Sequence, residues 1–244
     1  MRWMLSSCCL LLFLVPARAS APAYGYLYQS AYSLDGKPRL PAEPYSPQIG
    51  DLLLPSNPNV VWSIAYAIAG TGRPGHSALV VALPGGSPAI LEAGTSDKAV
   101  VAVTPLQTWL CEYKGKVWVR RRKTPIAPDQ SSRLTEFALL NDKKRYAVLR
   151  LVGQLTPFRA RGYFRTAYIG KPHGIRRTYY CSEIVVEAMV YAGLLDAETA
   201  RPTATYPRDM FFDRSRTPYV DQHLGLACGW HVPALWTWCP CSGR

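Results

Sequence analysis

The sequence predicts an α+β fold in which an antiparallel sheet packs against one buried helix. Short apolar runs separated by glycine- and proline-rich turns predict the sheet. An apolar pattern with helical spacing that starts directly after Cys181 predicts the helix. The chain has 244 residues, 21 prolines and 18 glycines, so we expect one domain, or at most two, with many loops and few long helices.

The first 19 residues have the features of a signal peptide. Arg2 supplies a positive start, an apolar run follows over 10–15, and Ala17-Arg18-Ala19 fits a small-residue cleavage site. The apolar run is too short to span a bilayer comfortably, which favours cleavage over an uncleaved anchor. We therefore predict a periplasmic or secreted protein, cleaved near Ala19, with an extended lead-in over 20–47.

The chain is basic, with a formal net charge of +12. Cleavage after Ala19 removes Arg2 and Arg18, which leaves 12 − 2 = +10. A basic surface attracts nucleic acid, anionic lipid or a cell-wall polymer, and export makes nucleic acid the least expected of these partners. Solvated charge that only keeps the protein soluble is an equally good explanation. We predict no nucleic-acid partner and leave an anionic surface open.

The clearest sheet element is a hairpin. Two apolar runs, over 76–83 and 89–93, flank the turn sequence Pro84-Gly85-Gly86-Ser87-Pro88. Runs over 99–103 and 116–120 predict further strands of the same sheet.

Glu92 is the only acid in the return strand of this hairpin, and His76 stands at the start of the first strand. With a two-residue turn at Gly85-Gly86, His76 lies opposite Thr95, which is about 10 Å along the strand from Glu92. A bulge or a different turn register is therefore required to bring the two side chains together.

Helical spacing predicts two helices, over 131–150 and 182–194. The buried face of the second helix follows an i, i+1, i+4, i+5, i+8 pattern made by Ile184, Val185, Ala188, Met189 and Ala192. Gly193 lies close to its end, as a C-terminal cap does.

Three residues are candidates for chemistry. Cys181 precedes the second helix, where the helix dipole favours a thiolate and free N–H groups can bind an oxyanion; alternatively it is a small buried hydrophobe. His76 can accept the thiol proton and return it to a leaving group, or it is structural. Glu92 can orient the imidazole, or it faces solvent.

These residues stand in an ordered set of motifs that resembles the circularly permuted NlpC-like group of papain-fold cysteine peptidases and amidases. There the histidine strand precedes the cysteine helix. The matching segments are Gly50-Asp51-Leu52-Leu53, Gly75-His76-Ser77-Ala78-Leu79-Val80-Val81, Leu91-Glu92-Ala93, Val103-Thr104-Pro105-Leu106, Tyr180-Cys181-Ser182-Glu183-Ile184-Val185 and Tyr206-Pro207-Arg208-Asp209-Met210.

The resemblance covers about 48–212. It implies a papain-like sheet-plus-helix core and a catalytic triad of Cys181, His76 and Glu92. We predict no cofactor, because this mechanism needs none. The basic segment before Cys181 and the cysteine-containing tail over 213–244 have no counterpart in the family pattern.

Three functions are consistent with these residues. The first is an exported amide hydrolase with a Cys181 thioester intermediate, acting on a substrate such as a cell-wall peptide. The second is a lipid acyl hydrolase or acyltransferase with the same site, and the third is an inactive wall-binding or interaction module. The second draws on aromatic residues interleaved with arginines that can meet an anionic membrane: Tyr163, Phe164, Tyr168, Tyr179 and Tyr180 with Arg159, Arg161, Arg165, Arg176 and Arg177.

Five cysteines follow the signal peptide, so at least one thiol stays free. The pairing among Cys111, Cys228, Cys239 and Cys241 is left open. A zinc site formed by the last three with His231 is a weaker alternative, because the spacing fits no standard zinc pattern. The sequence indicates no oligomeric state.

Overall fold

The computed structural model describes residues 23–28, 42–56, 64, 67–69, 71–94, 99–156, 159, 161–168, 171, 174–215 and 224–238. The predicted signal peptide over 1–19 and the cysteines Cys239 and Cys241 lie outside these ranges.

The described residues form ten strands and six α-helices. The strands are β1 Tyr26–Tyr28, β2 Ala42–Pro44, β3 Leu52–Ser56, β4 Ala78–Ala82, β5 Pro88–Ala93, β6 Val101–Pro105, β7 Lys116–Arg120, β8 Arg145–Tyr146, β9 Thr178–Tyr179 and β10 Ala234–Thr237. The helices are α1 Leu106–Glu112, α2 Pro128–Asn141, α3 Val148–Gly153, α4 Tyr163–Tyr168, α5 Cys181–Tyr191 and α6 Pro207–Phe212.

Eight of these strands form one sheet, in the order β2-β1-β10-β7-β3-β4-β5-β6. Every neighbouring pair in it is antiparallel, whereas β8 and β9 form a separate parallel pair. The predicted α+β class with a mostly antiparallel sheet is confirmed. The lead-in supplies β1 and β2 and the tail supplies β10, so the sheet extends beyond the 48–212 segment on both sides.

Helices cover both faces of the sheet. Because successive residues of a strand point to opposite faces, Leu79 and Leu91 pack into a buried cluster with α2 and α5. Val80 and Ile90 pack instead into a second cluster with residues of α1. No helix among the described residues is both long and apolar enough to cross a membrane.

The hairpin turn has three residues, and the predicted two-residue turn is wrong. The N–H of Leu83 donates to the Ser87 carbonyl, and the N–H of Gly86 donates to the Leu83 carbonyl, each at 2.8 Å. Gly85 and Gly86 adopt φ angles of +99° and +87°, a region that only glycine enters easily. Two consecutive glycines therefore permit the longer loop.

This loop changes the register by one residue. Ala78 pairs with Glu92 and Ala82 with Pro88, and the same register continued sets His76 opposite Gly94 rather than Thr95. A shift of one residue moves a side chain to the other face of a sheet. His76 and Glu92 therefore share a face as diagonal neighbours, and no bulge is needed.

The predicted helix over 131–150 is too long. Helix α2 ends at Asn141, whose side-chain amide donates to the Phe137 carbonyl at 2.7 Å. Asp142 has a ψ of 140°, outside the helical region, and Lys143 has a φ of +64°, so the chain leaves the helical path. The rest of the segment forms β8 and the start of α3.

Candidate active site

His76 and Glu92 form a hydrogen-bonded pair at the end of the sheet. His76 Nε2 lies 2.7 Å from Glu92 Oε2. His76 lies just before β4 begins, and Glu92 lies near the end of β5. The carboxylate is buried, whereas 21% of the His76 side chain is exposed. The imidazole is thus held by Glu92 on one side and is accessible to solvent on another.

A tryptophan holds the second oxygen of the same carboxylate. Trp109 Nε1 donates a hydrogen bond to Glu92 Oε1 at 2.9 Å, and its ring stacks on Tyr113 with centroids 4.8 Å apart. A buried indole N–H needs an acceptor, and helix α1 places it over this face of the sheet. Trp109 was not among the residues selected from the sequence, because nothing along the chain indicates which acceptor its N–H meets.

Cys181 is the first residue of α5 and is 7% exposed. Its thiol lies beside the His76 side chain, since hydrogen bonding and charge attraction to Cys181 are among the causes that raise the pKa of His76. Since Nε2 of the imidazole faces Glu92, Nδ1 is the nitrogen left to exchange a proton with the sulfur. The structure thus brings together the three residues selected from the sequence, Cys181, His76 and Glu92.

The surroundings of His76 favour its protonated form. Burial lowers the pKa of His76, but its hydrogen bonds and attraction to Cys181 and Glu92 outweigh burial and raise the pKa to about 10. An imidazolium beside a sulfur favours the thiolate, which is the nucleophilic form of cysteine. The raised pKa of His76 therefore places a protonated imidazole beside the Cys181 sulfur at neutral pH.

The first turn of α5 is locked from several directions. Ser182 Oγ donates to the Thr205 carbonyl at 2.6 Å, and the Tyr180 N–H donates to Glu183 Oε2 at 3.4 Å. The first N–H groups of a helix have no acceptor within the helix and carry partial positive charge. A rigid helix start beside the thiol can therefore stabilise negative charge on a bound carbonyl oxygen.

Two arginines from the basic segment hold Glu183. Glu183 Oε1 lies 2.5 Å from Arg150 Nη1 and 2.9 Å from Arg176 Nη1. Burial raises the pKa of Glu183, and the two guanidinium groups act in the opposite direction. Arg176 also reaches Glu187 at 3.4 Å. These arginines are therefore used to position the cysteine helix.

A second internal ion pair joins the basic segment to the start of helix α6, within the matched segment Tyr206-Pro207-Arg208-Asp209-Met210. The buried Arg161 donates to Asp209 and to Ser215, and its guanidinium lies 4.1 Å from the centre of the Tyr206 ring. Asp209 also caps α6, because its carboxylate accepts from the Tyr206 N–H at 2.9 Å. Asp209 therefore has a structural role at the start of α6.

Part of the expected membrane-facing set is therefore wrong. Arg161 and Arg176 make internal ion pairs, and Tyr179 and Tyr180 belong to the buried residues. In contrast, the aromatic residues of α4 are exposed. The segment has no clear hydrophobic period, so its sequence offered no means of separating the two groups.

The cysteines outside the site are only partly described. Cys111 and Cys228 are exposed and free. Within the described part of the chain, no three His, Cys, Asp or Glu residues group in a way that would hold a metal ion. The alternative zinc site needs Cys239 and Cys241, which lie outside the described residues.

No protein-family profile and no curated protein matches the sequence. Among solved structures, the chain is similar to the metalloprotein yiiX from Escherichia coli O157:H7, which carries the family label DUF1105. The TM-score is 0.46 at 19% identity, and the alignment covers 80% of this chain and 100% of that chain. A function for this chain is therefore inferred from the geometry of the site itself.

Proposed function

We propose that the protein is an exported cysteine hydrolase with a permuted papain-like core. Cys181 is the nucleophile, His76 the acid and base, and Glu92 the group that orients the imidazole. A single observation supports this assignment: a continuous series of contacts leads from Trp109 through Glu92 and His76 to Cys181. Such an arrangement of base, carboxylate and nucleophile recurs in acyl-transfer enzymes of unrelated folds.

The chemistry proceeds in two halves. The Cys181 thiolate attacks the substrate carbonyl carbon, and the N–H groups at the start of α5 stabilise the negative oxygen. The C–N bond breaks as the His76 imidazolium gives its proton to the departing amine, which leaves a thioester on Cys181. His76, now neutral, takes a proton from water as the water attacks the thioester. The carboxylic acid departs, and the thiolate–imidazolium pair is restored.

One candidate substrate is an amide, such as a cell-wall peptide. The same site performs ester chemistry through the same thioester, so an acyl lipid is the second candidate. Leu149 and Val152 of α3 are exposed, and Arg150 of the same helix binds Glu183 of the cysteine helix, which favours this second candidate. An inactive module has less support, because a carboxylate fixed on both oxygens and a buried thiol–imidazole contact have no evident purpose in simple binding.

Thiol reactivity tests the proposal directly. The rate at which each cysteine is alkylated is measured against pH by mass spectrometry, on the wild type and on His76→Ala. Cys111 and Cys228 are exposed and free, so they report ordinary thiol behaviour within the same molecule. We expect Cys181, although buried, to be alkylated at lower pH than both, and to lose this advantage in His76→Ala.

The opposite result is equally clear. If the pH dependence of Cys181 alkylation matches that of the exposed cysteines and does not change in His76→Ala, the thiol is an ordinary buried side chain. The enzyme proposal is then rejected.

A further inference from the structure

The segment over 148–168 is built with its polar side inward and its apolar side outward. No residue of α3, which is described throughout, is buried, and Thr166 is the buried residue of α4. Leu149 is 88% exposed, Phe164 73% and Tyr168 74%. We call the outward side the α3–α4 face; its exposed residues are Val148, Leu149, Val152, Leu155, Tyr163, Phe164 and Tyr168.

Polar side chains attach this segment to the core. Arg150 binds Glu183, Gln154 accepts a hydrogen bond from the Tyr206 hydroxyl at 3.2 Å, and Arg161 binds Asp209. Single exposed apolar residues are ordinary, but seven of them within one short segment indicate an interaction site. A segment that had evolved to face only water would carry the reverse arrangement.

The stretch of chain that carries the α3–α4 face is rich in positive charge. The stretch over 143–177 contains ten Lys or Arg residues and no Asp or Glu. Three of the arginines are neutralised by core carboxylates, namely Arg150, Arg161 and Arg176. The exposed cations are Lys143, Arg145, Arg159, Lys171 and Arg177. A partner for this surface must therefore combine apolar groups with negative charge.

The shape of the surface favours lipid over protein. Leu149 and Phe164 protrude rather than line a groove, as their exposure requires. A protruding apolar side chain enters the acyl region of a bilayer without a matching pocket, whereas a protein partner needs a complementary one. Tyrosines beside basic residues are the composition that membrane–water interfaces favour.

We propose that the α3–α4 face docks the protein on an anionic lipid bilayer. The docking position is close to the candidate nucleophile, because Arg150 of α3 binds Glu183 in the first turn of α5 and lies 5.8 Å from the centre of the Tyr180 ring. Together with the proposed function, on which this step rests, the position names an acyl lipid as the substrate class. Binding to the bilayer itself does not require Cys181 chemistry.

Vesicle co-sedimentation of the purified protein tests this proposal. The probes are phosphatidylcholine vesicles with and without phosphatidylglycerol, at a molar ratio of about 7:3 in the mixed vesicles. The test variant is Leu149→Ser with Phe164→Ser. The control is Leu139→Ser with Leu140→Ser, which changes two exposed apolar residues of α2. Because all four side chains are exposed, folding should be retained, and circular dichroism checks it.

We expect binding to the anionic vesicles that weakens with added salt and is much weaker on neutral vesicles. The test variant should lose affinity by about tenfold for each side chain, whereas the control should bind like the wild type. Cys181→Ser should also bind like the wild type, so a failure of the proposed chemistry does not affect this measurement.

Three results would overturn the proposal. The first is equal binding by the test variant and the wild type. The second is equal binding to neutral and anionic vesicles. The third is no vesicle binding, and concentration-dependent dimers in analytical ultracentrifugation would then assign the α3–α4 face to a second copy of the chain.

Discussion

The hairpin over 76–93 and the basic segment over 143–177 both bury charged side chains, but they do so by different means. In the hairpin, strand alternation and a three-residue turn set His76 and Glu92 on one face, where they bind each other. In the basic segment, Arg150 of α3 and Arg161 just before α4 bind carboxylates of the core, whereas apolar side chains of the two helices are exposed. The difference teaches that residue type alone does not predict whether a charged side chain faces the core or the solvent. A regular strand or helix period is needed to predict that direction.

The largest expected effect tests the hairpin side of this comparison. His76→Ala should lower the rate of hydrolysis of an activated thioester by about a thousandfold, because the acid and base of both half-reactions is lost. His231→Ala is a suitable control, since His231 is exposed and lies in the tail segment. Steady-state rates decide the matter, and equal rates in the two variants would separate His76 from the reaction.

The next effect concerns the basic segment. Arg161→Met should lower the free energy of unfolding by about 3–5 kcal/mol, because it leaves the buried Asp209 carboxylate unpaired. Arg159→Met, only two residues away but exposed, should change it by less than about 0.5 kcal/mol. Urea denaturation measures both. Similar changes in the two variants would contradict the division of this segment into internal and external arginines.

A smaller effect should appear in the pH dependence of stability. The pKa of His76 is raised to about 10 in the folded protein, against about 6.5 in an unfolded chain. The folded state therefore binds this proton more tightly, and the stabilisation is complete below about pH 6.5 and lost as the pH rises towards 10. Relative to His76→Gln, the wild type should lose at least about 1 kcal/mol across this range in urea titrations. A constant difference between the two proteins would refute the raised pKa.

The smallest effect should come from the support of Glu92. Trp109→Phe keeps an aromatic ring but removes the N–H that binds Glu92 Oε1, so Glu92 is less firmly fixed and we expect a loss in rate of about tenfold. Trp118→Phe is the matched control, because the buried Trp118 indole N–H has no partner among the described residues. The pH profile of Cys181 alkylation should move only in the Trp109 variant. If both variants behave alike, Trp109 is only a packing residue.

Much of this site could be predicted because it depends on local patterns. Helix α5 begins at Cys181, and Gly193 follows its end with a φ of +70°, as the helical period and the glycine indicated. The strands β4, β5 and β7 lie where apolar runs predicted them. These features arise from spacing along the chain, which a single sequence contains.

The remaining features depend on contacts between distant segments. The register of the hairpin follows from a turn one residue longer than expected, which two glycines permit but do not require. The partner of Trp109 and the inward direction of Arg161 are set by packing against residues far along the chain. Neither contact has a local signature, because short helices and isolated side chains carry no period that fixes their orientation.

The position of β10 in the sheet governs when the sheet can be completed during folding. β10 lies between β1 and β7, and it pairs Trp236 with Leu27, which is far away along the chain. Among the described strands, the β1–β2 pair joins the sheet only through β10. Pairings between such distant residues form late, since a long loop must close first. A growing chain therefore holds the edges of β1 and β7 unpaired until β10 has been synthesised, and a truncation before β10 would leave both edges open to aggregation.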